Sequence, residues 1–191
     1  MKIYLARHGE TDWNAEKRLQ GWTDIALNEK GRAQARALGK ILSSIRLDAI
    51  YCSSLKRSIE TATMLNREPL VPVSDLNEQS LGSFEGVTLT EEQLIEFQNQ
   101  RKDPEFRPEG GESTADHLQR VRRALQRIRM AHPEEDAQIL VIAHGGTNNL
   151  ILQELVKIQT DLTFRIPNHE IFLIDLPSGG HPTIWKHFQI A

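Results

Sequence analysis

The sequence predicts an α/β domain built on a mainly parallel sheet. Short β-rich runs alternate with stretches of helical period, and Gln138–Ala143 is a continuous apolar run of the kind that forms a parallel strand covered on both faces. Lys2–Arg7 reads as the first strand. Glu29–Ile45 follows as a helix, with Ala35, Leu38, Ile41, Leu42 and Ile45 at core-facing spacing. Asp48–Cys52 is a second strand and Leu55–Asn66 a second helix. From Leu76 to Ser113 the chain is irregular and rich in Gly and Pro, although Thr90 and Gln93 fit a capping box that opens a short helix over Glu91–Gln100. Ser113–Ala131 is a long helix with Leu118, Val121, Leu125 and Ile128 inward. After Gln138–Ala143 comes a helix over Gly145–Lys157. Ile171–Leu176 and Thr183–Ile190 then read as an antiparallel hairpin across Pro177–Pro182.

Length and charge narrow the function. At 191 residues the chain fits one domain, spanning 1–191, with residues 79–112 as a lid or substrate segment. Lys and Arg number 23 against 26 Asp and Glu, a formal net charge of −3, which argues against nucleic-acid and anionic-membrane partners. The longest apolar run is five residues, Ile139–Ala143, so no membrane span is expected. The start, Met1 to Arg7, is too short for the apolar region of a signal peptide. Cys52 is the single cysteine and reads as a small buried hydrophobe. A cytoplasmic setting follows. Arg120, Arg122, Arg123, Arg127 and Arg129 sit on one helix but are followed by Glu134, Glu135 and Asp136, so they read as a solvated face.

Chemistry is expected at the strand ends, because ligands of open parallel sheets bind outside the carboxyl edge. The first strand runs into Arg7-His8-Gly9-Glu10-Thr11. The second is followed by Ser53-Ser54-Leu55-Lys56-Arg57, and the apolar strand by His144-Gly145-Gly146 at a helix start. Parallel strands present these ends on one edge, so Arg7, His8, Arg57 and His144 converge. Arginine forks match phosphate oxygens, and helix N-termini add to the same preference. A phosphoryl group fits this set better than a carboxylate, which needs fewer cations.

The residues also carry a resemblance. Leu5-Ala6-Arg7-His8-Gly9-Glu10-Thr11-Asp12-Trp13-Asn14 resembles the signature of the histidine phosphatase superfamily, in its phosphoglycerate mutase-like branch. Further blocks match in family order: Gln20-Gly21-Trp22-Thr23-Asp24, Tyr51 to Arg57, Leu76-Asn77-Glu78, Gly110-Gly111-Glu112-Ser113 and Ala143-His144-Gly145-Gly146. The resemblance implies a three-layer α/β/α sandwich with a mixed sheet. It further implies His8 as a nucleophile that forms a phosphohistidine. Arg7, Arg57 and a protonated His144 would surround the phosphate, and Glu78 would be the acid–base residue. Asn14, Gln20, Gly21 and Gly145 are the implied substrate contacts. No metal and no cofactor are expected, since arginines supply the positive charge.

The leading expectation is therefore a metal-independent hydrolase of small phosphorylated metabolites. A phosphoglycerate mutase is the alternative. Mutases of the family carry a tyrosine three residues after the acid and consecutive lid arginines, whereas this chain has Leu81 and isolated Arg101, Lys102 and Arg107. A phospho-ligand-binding domain without turnover is disfavoured by retention of His8, Arg7, Arg57, Glu78 and His144. Trp13 and Trp22 read equally as pocket or packing residues. His117, His169, His181 and His187 lack metal-ligand spacing and carry no expected role.

Overall fold

A computed structural model describes residues 1–157, 167–168 and 170–189, with side chains described through 184 in the last stretch. In chain order the elements are β1 (Lys2–Arg7), α1 (Asp12–Ala15), α2 (Glu29–Leu42), β2 (Ala49–Ser53), α3 (Lys56–Thr63), β3 (Leu70–Val73), α4 (Glu91–Gln100), α5 (Thr114–Ala131), β4 (Gln138–Ala143), α6 (Gly145–Val156), β5 (Glu170–Asp175) and β6 (Thr183–Gln189). The strands form one six-stranded sheet in the order β3-β2-β4-β1-β5-β6. The first four in that order run parallel, while β5 pairs antiparallel with β1 and with β6. This is the mixed, mainly parallel sheet that was expected.

Strand alternation sorts the apolar side chains into two cores. Ile3 and Leu5 of β1, Ala49 and Tyr51 of β2, and Ile139 and Val141 of β4 pack against Val121, Leu125 and Ile128 of α5 and Ile151 of α6. Their neighbours Tyr4, Ala6, Ile50, Cys52, Leu140 and Ile142 pack on the other face against Leu38 and Leu42 of α2 and Ala62 of α3. Each fully buried aliphatic side chain of this kind contributes about 1.5–3 kcal/mol, so both helix layers are anchored by the same strands. Three layers result.

Element ends differ from the sequence expectation for local reasons. α2 stops at Leu42 rather than Ile45, where Ser43 turns its hydroxyl back onto Lys40 O at 2.7 Å. α3 starts one residue late because Leu55 is its extended N-cap, and it ends before Asn66, whose φ is 51°. β3 has no counterpart in the sequence reading, because Pro72 in its middle speaks against a strand. It sits at the sheet edge, where a missing N–H is tolerated. Ile190, the expected end of the last strand, and His169 lie outside the described residues, as does the side chain of His187.

The irregular stretch lies past the carboxyl edge of the sheet. Its helix α4 begins at the Thr90–Gln93 capping box and is held by Phe97, whose ring centroid is 4.7 Å from that of Phe84 and 6.5 Å from that of Phe106. No helix among the described residues is long and apolar enough to cross a membrane.

Candidate active site

His8 follows β1 directly, and its backbone N–H extends the parallel pairing to Ala143 O at 3.0 Å. Gly9 then turns the chain and donates to Thr61 Oγ1 of α3 at 3.0 Å. The turn is pressed against the start of α2. A Cβ on Gly9 would lie 2.4 Å from Gly31 O, and one on Gly31 would lie 2.0 Å from Glu10 O, so backbone meets backbone at both positions. The histidine is thereby clamped from two helices.

Hydrogen bonding settles its tautomer. His8 Nδ1 lies 2.7 Å from Gly9 O, and a carbonyl only accepts, so Nδ1 carries the proton and the Nε2 lone pair is free. Burial, then the Arg57 and Arg7 guanidiniums, hold the imidazole well below the ordinary histidine range. It is neutral at neutral pH.

Arg57, in the first turn of α3, is almost fully buried. Its Nη1 donates to Thr23 O at 2.9 Å, its Nη2 to Gly21 O at 2.8 Å, and its Nε to His144 Nδ1 at 3.2 Å. Burial brings the guanidinium down to about 10, so it keeps its charge at neutral pH. The bond to His144 corrects one expectation. With Nδ1 accepting, His144 holds its single proton on Nε2, and burial, Arg57 and His8 push it well below the ordinary range. His144 is therefore a neutral donor rather than a cation. Its Nε2 is buried and has no hydrogen-bond partner among the described residues. The two imidazole centroids are 5.0 Å apart, inclined at 55°.

Glu78 reaches the same site from the irregular stretch. Its Oε1 accepts from Gln79 N at 2.9 Å and its Oε2 from Gly146 N at 2.9 Å, in the first turn of α6. A Cβ on Gly146 would lie 2.5 Å from Glu78 Oε1, so this approach needs glycine there.

These groups open onto a cavity of about 300 Å³. Arg7, His8, Arg57, Glu78 and His144 line it together, as do Asn14, Gln20 and Gly21. Asn14 Oδ1 is used by Thr11 N in the cap of α1, and Gly21 O is occupied by Arg57. Gly145 is buried at the start of α6 and does not line the cavity. Trp13 lines it too, with Arg18 stacked 4.3 Å from its ring, whereas Trp22 is 46% exposed and donates through Nε1 to Glu78 O.

Lys17 and Arg18, given no role from the sequence, form part of the cavity wall, beside Gln79 and Arg101 of the expected lid or substrate segment. The arginines of α5 behave as the expected solvated face at Arg122, Arg123 and Arg127, which pair with Glu154 and Asp75. Arg120 does not, since it is buried beneath the Glu78 loop. His117 is also buried, 3.0 Å from Thr147 Oγ1. The signal was present: 117, 120, 121 and 124 share one helical face with the core.

The buried histidines predict a pH dependence of stability. Burial lowers His117 to about 3, and His8 and His144 are lowered too. In the unfolded chain all three bind protons below about pH 6.5. Their contribution is complete above that value and is lost as pH falls toward the folded pKa values. For each histidine the slope is on the order of 1 kcal/mol per pH unit. Urea midpoints between pH 7 and pH 4 check this, and His117→Asn is expected to flatten the slope.

A mixed α/β/α sheet whose carboxyl edge gathers two imidazoles and two guanidiniums in one pocket defines a phosphoryl-handling class. The profile of the histidine phosphatase superfamily (branch 1) matches residues 3–186, and the chain belongs to that family. It is 35% identical over 165 residues to the 2,3-bisphosphoglycerate-dependent phosphoglycerate mutase 2 of Gloeobacter violaceus, covering 80% of this chain and 74% of that protein. To the metal-independent phosphoserine phosphatase of Arabidopsis thaliana it is 38% identical over 167 residues, covering 82% and 69%. The solved structure of Bacillus stearothermophilus YhfR superposes with a TM-score of 0.80 at 31% identity, covering 100% of this chain and 98% of that one.

Proposed function

We propose that this chain is a metal-independent phosphomonoester hydrolase that works through a phosphohistidine on His8 and acts on a small phosphorylated metabolite. The observation that carries the reading is the fixed tautomer of His8: Nδ1–H is held by Gly9 O, and Nε2 is the only nucleophilic nitrogen. In the first step Nε2 attacks phosphorus and the bond to the leaving oxygen breaks. Arg7, Arg57 and the Nε2–H of His144 balance charge on the three equatorial oxygens. Glu78 gives its proton to the departing alkoxide. It then takes a proton from the water that attacks phospho-His8, releasing inorganic phosphate and restoring both groups. The step requires that Glu78 hold a proton when the substrate is bound. Asn14 and Gln20 are assigned to substrate contact from the cavity wall, and Gly21 to holding Arg57.

Cys52 takes no part, since burial pushes its thiol up to about 12, and a chain with no disulfide suits the cytoplasm. The mutase reading draws on the Gloeobacter relative. Against it stands Leu81 in the cavity wall, an apolar side chain where the mutases of the family have a tyrosine.

Hydrolysis of p-nitrophenyl phosphate is expected to be unchanged by EDTA, and loss of turnover with the chelator would overturn metal independence. Glu78→Gln is expected to lower kcat/KM for alkyl phosphates by about 10²–10³-fold, and for the aryl ester, whose leaving group needs no proton, by less than about tenfold. Equal losses would remove Glu78 as the acid. A turnover of 3-phosphoglycerate that required a bisphosphorylated primer would favour the mutase.

A further inference from the structure

We propose that Arg120 is a positioning residue for Glu78, acting with Glu112, and that the pair ties the 79–112 segment to the proton-transfer step. The inference rests on the reading of Glu78 as the acid–base group. Arg120 lies outside the cavity wall and touches no reacting atom. Its guanidinium instead grips the backbone that presents Glu78. Nη1 donates to Asn77 O at 2.6 Å and to Asp75 O at 3.1 Å, and Nη2 donates to Glu78 O at 2.7 Å.

The remaining donors face Glu112. Nε donates to Glu112 Oε2 at 3.0 Å and Nη2 to Oε1, and both side chains are largely buried. Glu112 in turn fixes the far side of the loop, where its Oε1 accepts from Ser80 N at 3.0 Å and its backbone O from Gln79 Nε2 at 2.9 Å. Gln79 Oε1 accepts from Arg101 Nη2 at 2.6 Å, at the end of α4. The backbone is therefore held before and after Glu78 by one ion pair, and the same pair is linked through Gln79 to the helix that walls the cavity.

An arginine is needed for this geometry. Its planar fork serves three carbonyls and a carboxylate at once, whereas an ammonium offers its donors from one point. Displacement of a catalytic group by about 1 Å is enough to cost on the order of 10²-fold in rate. The ion pair thus serves the reaction through the aim of Glu78 and leaves the phosphate-binding groups alone.

The test is the leaving-group dependence of Arg120→Lys, which keeps the charge and loses the fork. Its kcat/KM for alkyl phosphates is expected to fall about 10²-fold, with less than about threefold loss on p-nitrophenyl phosphate and an unchanged Ki for inorganic phosphate. The double variant with Glu78→Gln is expected to lose no more than Glu78→Gln alone, because both act on one proton transfer. Glu112→Gln repeats the measurement with a milder change if Arg120→Lys does not fold. Equal losses on the two ester classes, a raised Ki, additive losses in the double variant, or failure of both variants to fold would overturn the proposal. If Glu78→Gln itself shows no preference for alkyl esters, the acid assignment has failed instead, which separates the two readings.

Discussion

His8→Ala is expected to lower kcat for p-nitrophenyl phosphate by on the order of 10⁴–10⁶-fold, the scale on which enzymes lose an attacking nucleophile. Inorganic phosphate should still bind, because Arg7, Arg57 and His144 remain in place around the cavity. Rapid quenching of the unsubstituted protein with labelled substrate should trap an acid-labile, base-stable phosphoryl group, and the variant should trap none. Turnover by His8→Ala at the original rate would end the covalent route.

Arg57→Ala is expected to cost about 10³-fold or more in kcat/KM, the range found when an arginine that meets transferring phosphoryl charge is removed. Arg57→Lys is expected to recover little of this, since Nε, Nη1 and Nη2 each hold a different acceptor. A second signature distinguishes this variant from a simple loss of affinity. Arg57 is one of the influences that lower His8, so its removal raises the His8 pKa toward the ordinary value. Because the neutral imidazole is the reactive form, the acid limb of kcat/KM should move to higher pH in Arg57→Ala. An unmoved limb would show that Arg57 does not govern the His8 charge.

Much of this arrangement was readable in the sequence. Gln138–Ala143 was placed to the residue, because an unbroken apolar run with helical neighbours has one comfortable home in a parallel sheet. Order along the chain then put Arg7, His8, Arg57 and His144 at one sheet edge, and the structure brings those four to one cavity. What escaped depended on three-dimensional detail. The state of His144 is decided by a bond from Arg57, 87 residues away in the chain, which no local pattern displays. Arg120 is masked by the arginine-rich composition of its helix, while its helical phase, shared with His117, Val121 and Ala124, sets it on the buried side. In the 79–112 segment the helix over Glu91–Gln100 is legible from its Thr90–Gln93 capping box, but the contacts that seat it, Phe97 against Phe84 and Phe106 and Gln79 against Arg101, join residues too far apart for a local pattern to display.

The contact between Gly9 and Gly31 divides the pocket into two kinds of terrain. Where main chain rests on main chain, not even a methyl group can be inserted, so the floor bearing the nucleophile has no room to drift. Along the roof, Leu94 and Gln98 line the cavity from α4 with side chains that others of suitable shape can replace. Changes in which ester is accepted should therefore accumulate overhead while the reaction beneath stays the same, so directed selection for new substrates belongs in the roof and would be wasted on the floor.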